Sequence, residues 1–476
     1  MMKIRNNNAR QDVKNINLDM LVPQDHIIRK IDSALDLSFI YEKVKPLYSN
    51  TGTNSIDPVV LFKIILIQYL FGIRSMRQTI KEIEVNIAYR WYLGYGLDEK
   101  IPHFTTFGKN YQRRFQNTKI FEEIFNEIIS EAIKCRFVNI ESVFVDGTHI
   151  KASANNKKAR NVLIEENSKF YQEQLEKEIN LDRENHKKKT LNFDKTIKEK
   201  RIKQSTTDVE CGVFHKGEHK KVFAYSANTA CDKNNFVLDF VVNPGNIHDS
   251  KAFPELYKKL KNKYSGIKNI VVDAGYKIPA IAKLLIDDNV IPIMPYKRPM
   301  TKYGFFKKYE YVYDEFYDCY LCPNDKILKY STTNREGYRE YKSNPKECKN
   351  CLLKDKCTES KNSTKIITRH IWEKYIEEVE DIRHREGSSA LYSLRSQTIE
   401  RVFADAKELH GMRYTQYRGL AKLKMELTLK FVSMNLKKLA IWKARNSLFL
   451  FILKKKMKRN INFQKIKKTT TNLNLV

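Results

Sequence analysis

The spacing of apolar residues changes character near residue 140 and again near residue 371, and that limits the fold more than any other feature of the chain. Over 12–135 apolar positions recur every three or four residues, in runs at 25–47, 57–71, 75–90 and 117–134, with Pro23 and Pro58 near likely helix starts. One apolar stripe at that spacing is an amphipathic helix. From 140 to about 298 short β-branched runs take over: "SVFVDGTHIKAS", "KKVFAYSANTAC" (220–231), "NFVLDFVVNPGN" (235–246), "IKNIVVDAG" (267–275) and "NVIPIMPY" (289–296). Helices fit between them at 248–262 and 278–288. Strand runs that pass into strand–helix alternation predict a mixed sheet flanked by helices, an α/β (α+β) class with a separate helical N-terminal domain. With 476 residues, 42% of them hydrophobic, the chain can bury the cores of two or three domains.

Two segments interrupt this plan. The stretch at 157–205, charged and poor in turn residues, reads as a helical insertion or hairpin with a basic face, or equally as a charged linker. Residues 299–365 are rich in Tyr, Lys and Cys and read as a second insertion. Helical spacing returns at 371–445, and 446–476 reads as a fraying basic tail. The expected parts are therefore 1–135, 136–298, 299–365, 366–445 and 446–476, with no internal repeat.

The formal charge of +31 points to nucleic acid, because Lys and Arg that neutralise phosphates release counterions and supply most non-specific affinity. A general bias of the chain toward Lys, Asn, Ile and Tyr is the competing explanation. In "HFTTFGKNYQRRF" (103–115), Thr105 or Thr106 can cap a short helix exposing Lys109, Arg113 and Arg114. A helix-turn-helix module presents such a helix to a major groove, and a solvated helix face has the same sequence. The N-terminal residues carry no signal-peptide pattern, and the apolar runs at 61–73 and 447–453 fall short of a membrane span, so a cytoplasmic location is expected.

Asp146 stands inside the apolar run of the first strand. A carboxylate there is costly unless it is paired, hydrogen-bonded or bound to a metal; the plainer reading ends the strand at Asp146 and starts a turn with Gly147. Asp273 repeats the pattern in "NIVVDAGY" (269–276). The third candidate is Glu400, beside a helical stripe of Ile399, Val402, Phe403, Ala406 and Leu409, with Tyr392, Arg395, Lys407, Arg413 and Arg418 around it. Two strand carboxylates and one helix carboxylate suit two-metal phosphoryl chemistry, since Mg²⁺ prefers hard oxygen ligands and shares substrate phosphate oxygens. Arg395 and Lys407 could bind phosphates beside such a site; a salt-bridged surface helix is the alternative, with little energetic consequence.

In order along the chain, "NLDMLVPQDHIIRKID" (17–32), "HFTTFGKNYQRRF", "FVDGTHIKA", "GNIHDSKAF" (245–253), "VVDAGY" and "ERVFADAKELHGMRYTQYRGL" (400–420) resemble bacterial insertion-sequence transposases of the DDE type, with an InsH-like N-terminal domain. The resemblance covers most of the chain. It implies an RNase H-like catalytic core and cutting and joining of DNA at terminal inverted repeats with two Mg²⁺ (or Mn²⁺) ions. It makes Asp146, Asp273 and Glu400 the metal-binding triad. Related transposases carry Tyr-Arg-Glu-Lys with two, three and six intervening residues; here Tyr392, Arg395, Glu400 and Lys407 give two, four and six. Asp249 and Asp405 rank below the triad because neither ends a strand. Paired DNA ends imply a homodimer or larger assembly on DNA. A DNA-binding regulator without catalysis and a metal-dependent nuclease are the rival readings.

Five of the eight cysteines cluster as Cys319-x2-Cys322 and Cys348-x2-Cys351-x5-Cys357. Paired C-x2-C knuckles suit structural Zn²⁺ held by four thiolates, here any four of the five; a reduced cysteine-rich insertion is the alternative. Cys135, Cys211 and Cys231 read as small core residues.

Overall fold

The computed structural model describes residues 16–49, 51, 55–165, 170–193, 199–216, 220–298 and 300–472. The chain divides into two units, one of residues 1–139 with 402–476 and one of residues 140–401.

The first unit is helical. Its helix Pro58–Leu70 starts where the Asp57 carboxylate accepts from the Val59 N–H (2.7 Å) and the Val60 N–H (3.1 Å), and Pro58 fills a first position that needs no N–H. The helix is apolar on every side, with Leu61, Phe62, Ile64, Ile65, Leu66, Ile67 and Leu70 buried, so it lies inside the bundle. The helices Phe39–Val44, Met76–Val85 and Ile87–Leu93 pack against it, and the long helix Leu420–Asn472 packs on it and on the helices Ile27–Ala34 and Ile120–Lys134. Residues from Val402 on were expected to complete the catalytic core, with a tail after 445; they group with the N-terminal helices instead. Helical periodicity shows that a face is apolar, not which partner covers it. The tail expected from 446 continues the same helix to Asn472, since no Gly or Pro after Gly419 interrupts it; residues 473–476 lie outside the described residues. No helix among the described residues is long and apolar enough to cross a membrane.

The basic stretch forms the helix Thr105–Asn110 followed by a π-helical turn Tyr111–Phe115. Phe104, not a threonine, occupies the cap position, and no side chain caps this start, so the Thr105 or Thr106 cap is not formed. Phe107, Tyr111 and Phe115 are buried, while Lys109 and Arg113 are exposed. Arg114 is engaged internally: it donates to Asn110 and lies 4.3 Å over the Tyr48 ring.

His410 is buried in this unit, its Nδ1 2.7 Å from the Tyr69 carbonyl, and burial holds its pKa below the ordinary value despite that hydrogen bond. The unfolded chain therefore takes up this proton first as pH falls. Its contribution to stability is complete above the ordinary histidine value, about 6.5, and is lost as pH drops below it. Denaturant midpoints at pH 7.5 and 5.5 are expected to fall for the wild type and to fall less for His410→Asn.

The second unit is built on a six-stranded sheet. Strand β1 (Ser142–Lys151) is followed by β2 (Ala159–Glu165), β3 (Glu199–Ser205), β4 (Gly212–Lys216), β5 (Lys220–Asp232), β6 (Val237–Pro244), β7 (Asn269–Val271) and β8 (Ile291–Ile293). The sheet runs β6-β5-β1-β7-β8, with β4 pairing the Lys220–Ala224 stretch of β5 and β6 the rest of it. β1, β5 and β6 are antiparallel, and β7 and β8 run parallel to β1. The crossovers to the parallel strands are the helices Asp249–Lys263 and Pro279–Asp287. Val143, Phe144 and Val145 are all fully buried, as a central strand covered on both faces requires. This mixed, helix-flanked sheet is consistent with an RNase H-like core.

In the 157–205 segment, β2 and β3 form their own antiparallel ladder, with the helix Gln172–Asn185 between them. The second insertion holds an antiparallel sheet in the order β13-β12-β11-β10-β9: β9 (Val312–Asp314), β10 (Cys319–Leu321), β11 (Ile327–Thr333), β12 (Tyr338–Lys342) and β13 (Ile366–His370). Its core is Tyr311, Tyr320, Leu328, Tyr341 and Ile367. Asp182 joins the two insertions: it is buried and accepts from Arg339 Nε (2.8 Å), Arg339 Nη2 (2.5 Å) and Thr333 Oγ1 (2.5 Å). Asp182→Ala strips a largely buried guanidinium of its carboxylate and is expected to cost about 3 kcal/mol in denaturant unfolding.

Candidate active site

Asp146 lies within β1, not at its end. The strand continues through Gly147 to Lys151, pairing Asp146 with Thr229 and Gly147 with Asn228 on β5, so the strand-end and turn reading does not hold. On the other edge Phe144 pairs with Val271 of β7. Asp146 stands two residues beyond this pair on β1 and Asp273 two residues beyond it in the segment that follows β7, and the Asp273 charge helps raise the Asp146 carboxyl. Asp273 follows β7 and caps the turn Ala274–Tyr276, its Oδ1 accepting from the Gly275 N–H at 2.8 Å. Both carboxylates lie just past the carboxyl end of the parallel ladder between β1 and β7, the end at which open α/β sheets leave a crevice.

Asp146 is held from two sides. Oδ1 accepts from the Gly147 N–H (2.8 Å) and Oδ2 from Arg395 Nη2 (2.8 Å), while Arg395 Nη1 also donates to the Val145 carbonyl (3.4 Å). Burial nevertheless dominates and pushes the carboxyl up to about 6, against the Arg395 guanidinium and the Gly147 N–H and with Asp273 and Asp249 adding to it. The Arg395 guanidinium is itself buried. Thr398 (φ −111°, ψ −100°) separates the 3-10 turn Leu394–Gln397, which carries Arg395, from the helix Ile399–Glu408, which carries Glu400.

Glu400 is the second residue of that helix and is exposed. The Tyr392 phenol ties it to the two aspartates. Burial raises this phenol, Arg395 opposes, and Asp273, Glu400 and Asp146 each raise it further, so one ring feels all three carboxylates. Arg395 also lies 5.8 Å from the Tyr392 ring centroid. Ile399, Val402, Phe403 and Ala406 form the expected buried stripe, but Leu409, beyond the helix end, is 53% exposed.

Asp249, ranked low from sequence, adjoins this group. It begins the helix Asp249–Lys263, and a Cβ on Gly147 would lie 2.4 Å from its Oδ1. That close approach is why residue 147 has no side chain. The Asp249 carboxyl is raised by burial, opposed by His149 and His248, with Asp273 raising it as well; its Oδ1 is buried without a hydrogen-bond partner. Below the carboxylates the Tyr276 hydroxyl donates to Asn228 Oδ1 at 2.8 Å. The sequence signal for Asp249 was only an acid at a helix start, which has an ordinary explanation in the helix dipole.

Lys407, Arg413, Arg418, Lys109, Arg113 and Arg114 belong to the other unit, as does Asp405. Lys407 lies 5.9 Å from the Phe403 ring centroid, and Arg413 pairs with Glu408. Of the clustered cysteines, Cys322, Cys348, Cys351 and Cys357 line one cavity and Cys319 another. Cys211 and Cys231 are core residues as expected; Cys135, at the end of the helix Ile120–Lys134, is only half-buried. Among the described residues no group of three or more His, Cys, Asp or Glu side chains is already gathered as a metal site. Asp146, Asp273 and Asp249 nonetheless offer carboxylate oxygens, the donors Mg²⁺ takes, with Arg395 on Asp146 and His149 and His248 beside Asp249, and a carboxylate keeps lone pairs free after two hydrogen bonds.

Residues 16–113 match the family model described as "Transposase domain (DUF772)", and residues 321–440 match the one described as "Transposase DDE domain". The second match includes Glu400, Tyr392 and Arg395; Asp146 and Asp273 lie outside both. Comparison with curated proteins finds no match. A transposase match at the N-terminal helices and another across the segment that carries Glu400 together support an insertion-sequence transposase of the DDE type.

Proposed function

We propose that this chain cuts DNA at the terminal inverted repeats of an insertion sequence and joins the resulting 3′-hydroxyl ends to target DNA. Asp146, Asp273 and Glu400 would hold two divalent ions, Mg²⁺ or Mn²⁺. When bound, such ions activate the attacking oxygen and neutralise charge on the leaving one. The observation that supports this reading is that Asp146 and Asp273 each lie two residues beyond the Phe144–Val271 pair of β1 and β7 and that the Asp273 charge bears on the Asp146 carboxyl. Arg395 fixes the Asp146 carboxylate and keeps it available in its ionised form against the pull of burial. Asp249 is a fourth carboxylate, close to Gly147 and within the field of Asp146 and Asp273, and could orient an ion's water.

DNA is the partner, with Lys109 and Arg113 on the exposed side of the basic helix facing the repeat, and Arg114 supporting that helix from within. Tyr392, Lys407, Arg413 and Arg418 would also contact DNA, and two chains would act on two ends. The test incubates purified protein with end DNA, target DNA and Mg²⁺ and resolves the products by strand. Joined molecules support the proposal. Nicked DNA with no joined product reassigns the chain as a nuclease, and tight binding with neither product reassigns it as a regulator.

A further inference from the structure

We infer that Cys322, Cys348, Cys351 and Cys357 bind one structural Zn²⁺ and that Cys319, despite its C-x2-C spacing, is not a ligand. The four named cysteines line a single cavity of about 30 Å³, together with Asn324, Lys326, Lys354 and Lys365. That space exceeds what one water needs, and an ion is smaller still. Cys319 is excluded by strand alternation. Within β10, Cys319 and Leu321 face one side of the sheet and Tyr320 the other, where it joins the Tyr311–Leu328–Tyr341 core. Cys319 and Leu321 accordingly line a different cavity, with His186 and Asp318. Cys322 follows the strand and packs, with Cys357, against the Tyr320 side.

The surroundings suit thiolates. The Lys326 N–H points at Cys322 Sγ (3.4 Å), Asn324 Nδ2 at Cys351 Sγ (3.5 Å), and the Tyr311 hydroxyl lies 3.2 Å from Cys357 Sγ. Donors of this kind orient metal-bound sulfurs. Four thiolates on Zn²⁺ leave two negative charges, which Lys326, Lys354 and Lys365 at the cavity wall offset. All five cysteines are free thiols, so no disulfide competes. The sulfurs line the cavity without being gathered around one point, and side-chain rotation has to bring them together.

The segment that supplies three of them has reason to need the ion. Cys348 and Cys357 sit on the helices Pro345–Lys349 and Lys354–Cys357, of five and four residues, and Cys351 lies between them. Helices this short do not hold themselves. Zinc would tie them to the β10–β11 turn at Cys322 and close the end of the five-stranded sheet.

The test measures metal in the full-length protein purified without added zinc, for the wild type, Cys319→Ser, Cys322→Ser and Cys351→Ser. The expected result is one zinc per chain in the wild type and in Cys319→Ser, and loss of most of it in the other two. Because the last two variants can misfold, the wild type is also exchanged with Co²⁺, where the intense sulfur-to-cobalt absorption of a tetrahedral four-thiolate site is expected. A folded wild type with no zinc and no such absorption overturns the inference. So does zinc loss on Cys319→Ser equal to that on Cys322→Ser.

Discussion

Asp146→Asn is expected to lower DNA cleavage and joining by about 10³-fold or more while leaving the fold and the binding of end DNA in place. The reasoning is electrostatic. Asparagine keeps the shape and can still accept from the Gly147 N–H, but it removes the negative charge that faces Arg395 and shares a field with Asp273 and Asp249. Charge stabilisation of several kcal/mol in the transition state corresponds to a rate factor on the order of 10³. Stability is expected to fall as well, by about 3 kcal/mol or less, because the buried Arg395 guanidinium loses its carboxylate while the replaced carboxyl, pushed up to about 6, was itself opposed by burial. Cleavage rates and binding isotherms measured on the same preparations check both halves of this expectation.

Arg395→Ala is expected to reduce cleavage by about 10²-fold and to lower stability by about 3 kcal/mol, since it leaves a largely buried carboxylate without its cation. A distinguishing readout is the pH profile. Arg395 is the largest influence that holds the Asp146 carboxyl down, so its removal moves ionisation of Asp146 to higher pH. Residual activity in Arg395→Ala should therefore need more alkaline conditions than the wild type for its half-maximal rate. Arg395→Lys keeps the charge but not the two-pronged contact to Asp146 and the Val145 carbonyl, and should restore the pH profile better than the rate.

The local part of this site was legible in the chain, and the long-range part was not. Asp146 and Asp273 stood out because a carboxylate in a β-branched run has few inexpensive explanations. That each stands two residues beyond the Phe144–Val271 pair is a matter of register, which no spacing along the chain reveals. Asp249 was passed over because an acid in a helix's first turn is ordinary; only its approach to Gly147 distinguishes it. The offset before Glu400 is a departure from the family's spacing, and the backbone between Arg395 and Glu400 breaks at Thr398. The helix Leu420–Asn472 was readable as a helix, but its partners at Ile27–Ala34, Pro58–Leu70 and Ile120–Lys134 lie hundreds of residues away. The sheet of the cysteine-rich insertion escaped notice because β9 and β10 have three residues each, too few for an alternation to register.

The central claim is that Asp146 and Asp273 hold metal ions for DNA cleavage, and the most direct measurement is a metal switch. Asp146→Cys and Asp273→Cys are assayed on end DNA in Mg²⁺ and in Mn²⁺. A thiolate is a poor partner for the hard Mg²⁺ and a better one for Mn²⁺. The account predicts that both variants are silent in Mg²⁺ and regain cleavage in Mn²⁺, while the wild type works in either. Cleavage by both cysteine variants in Mg²⁺ at the wild-type rate would contradict it.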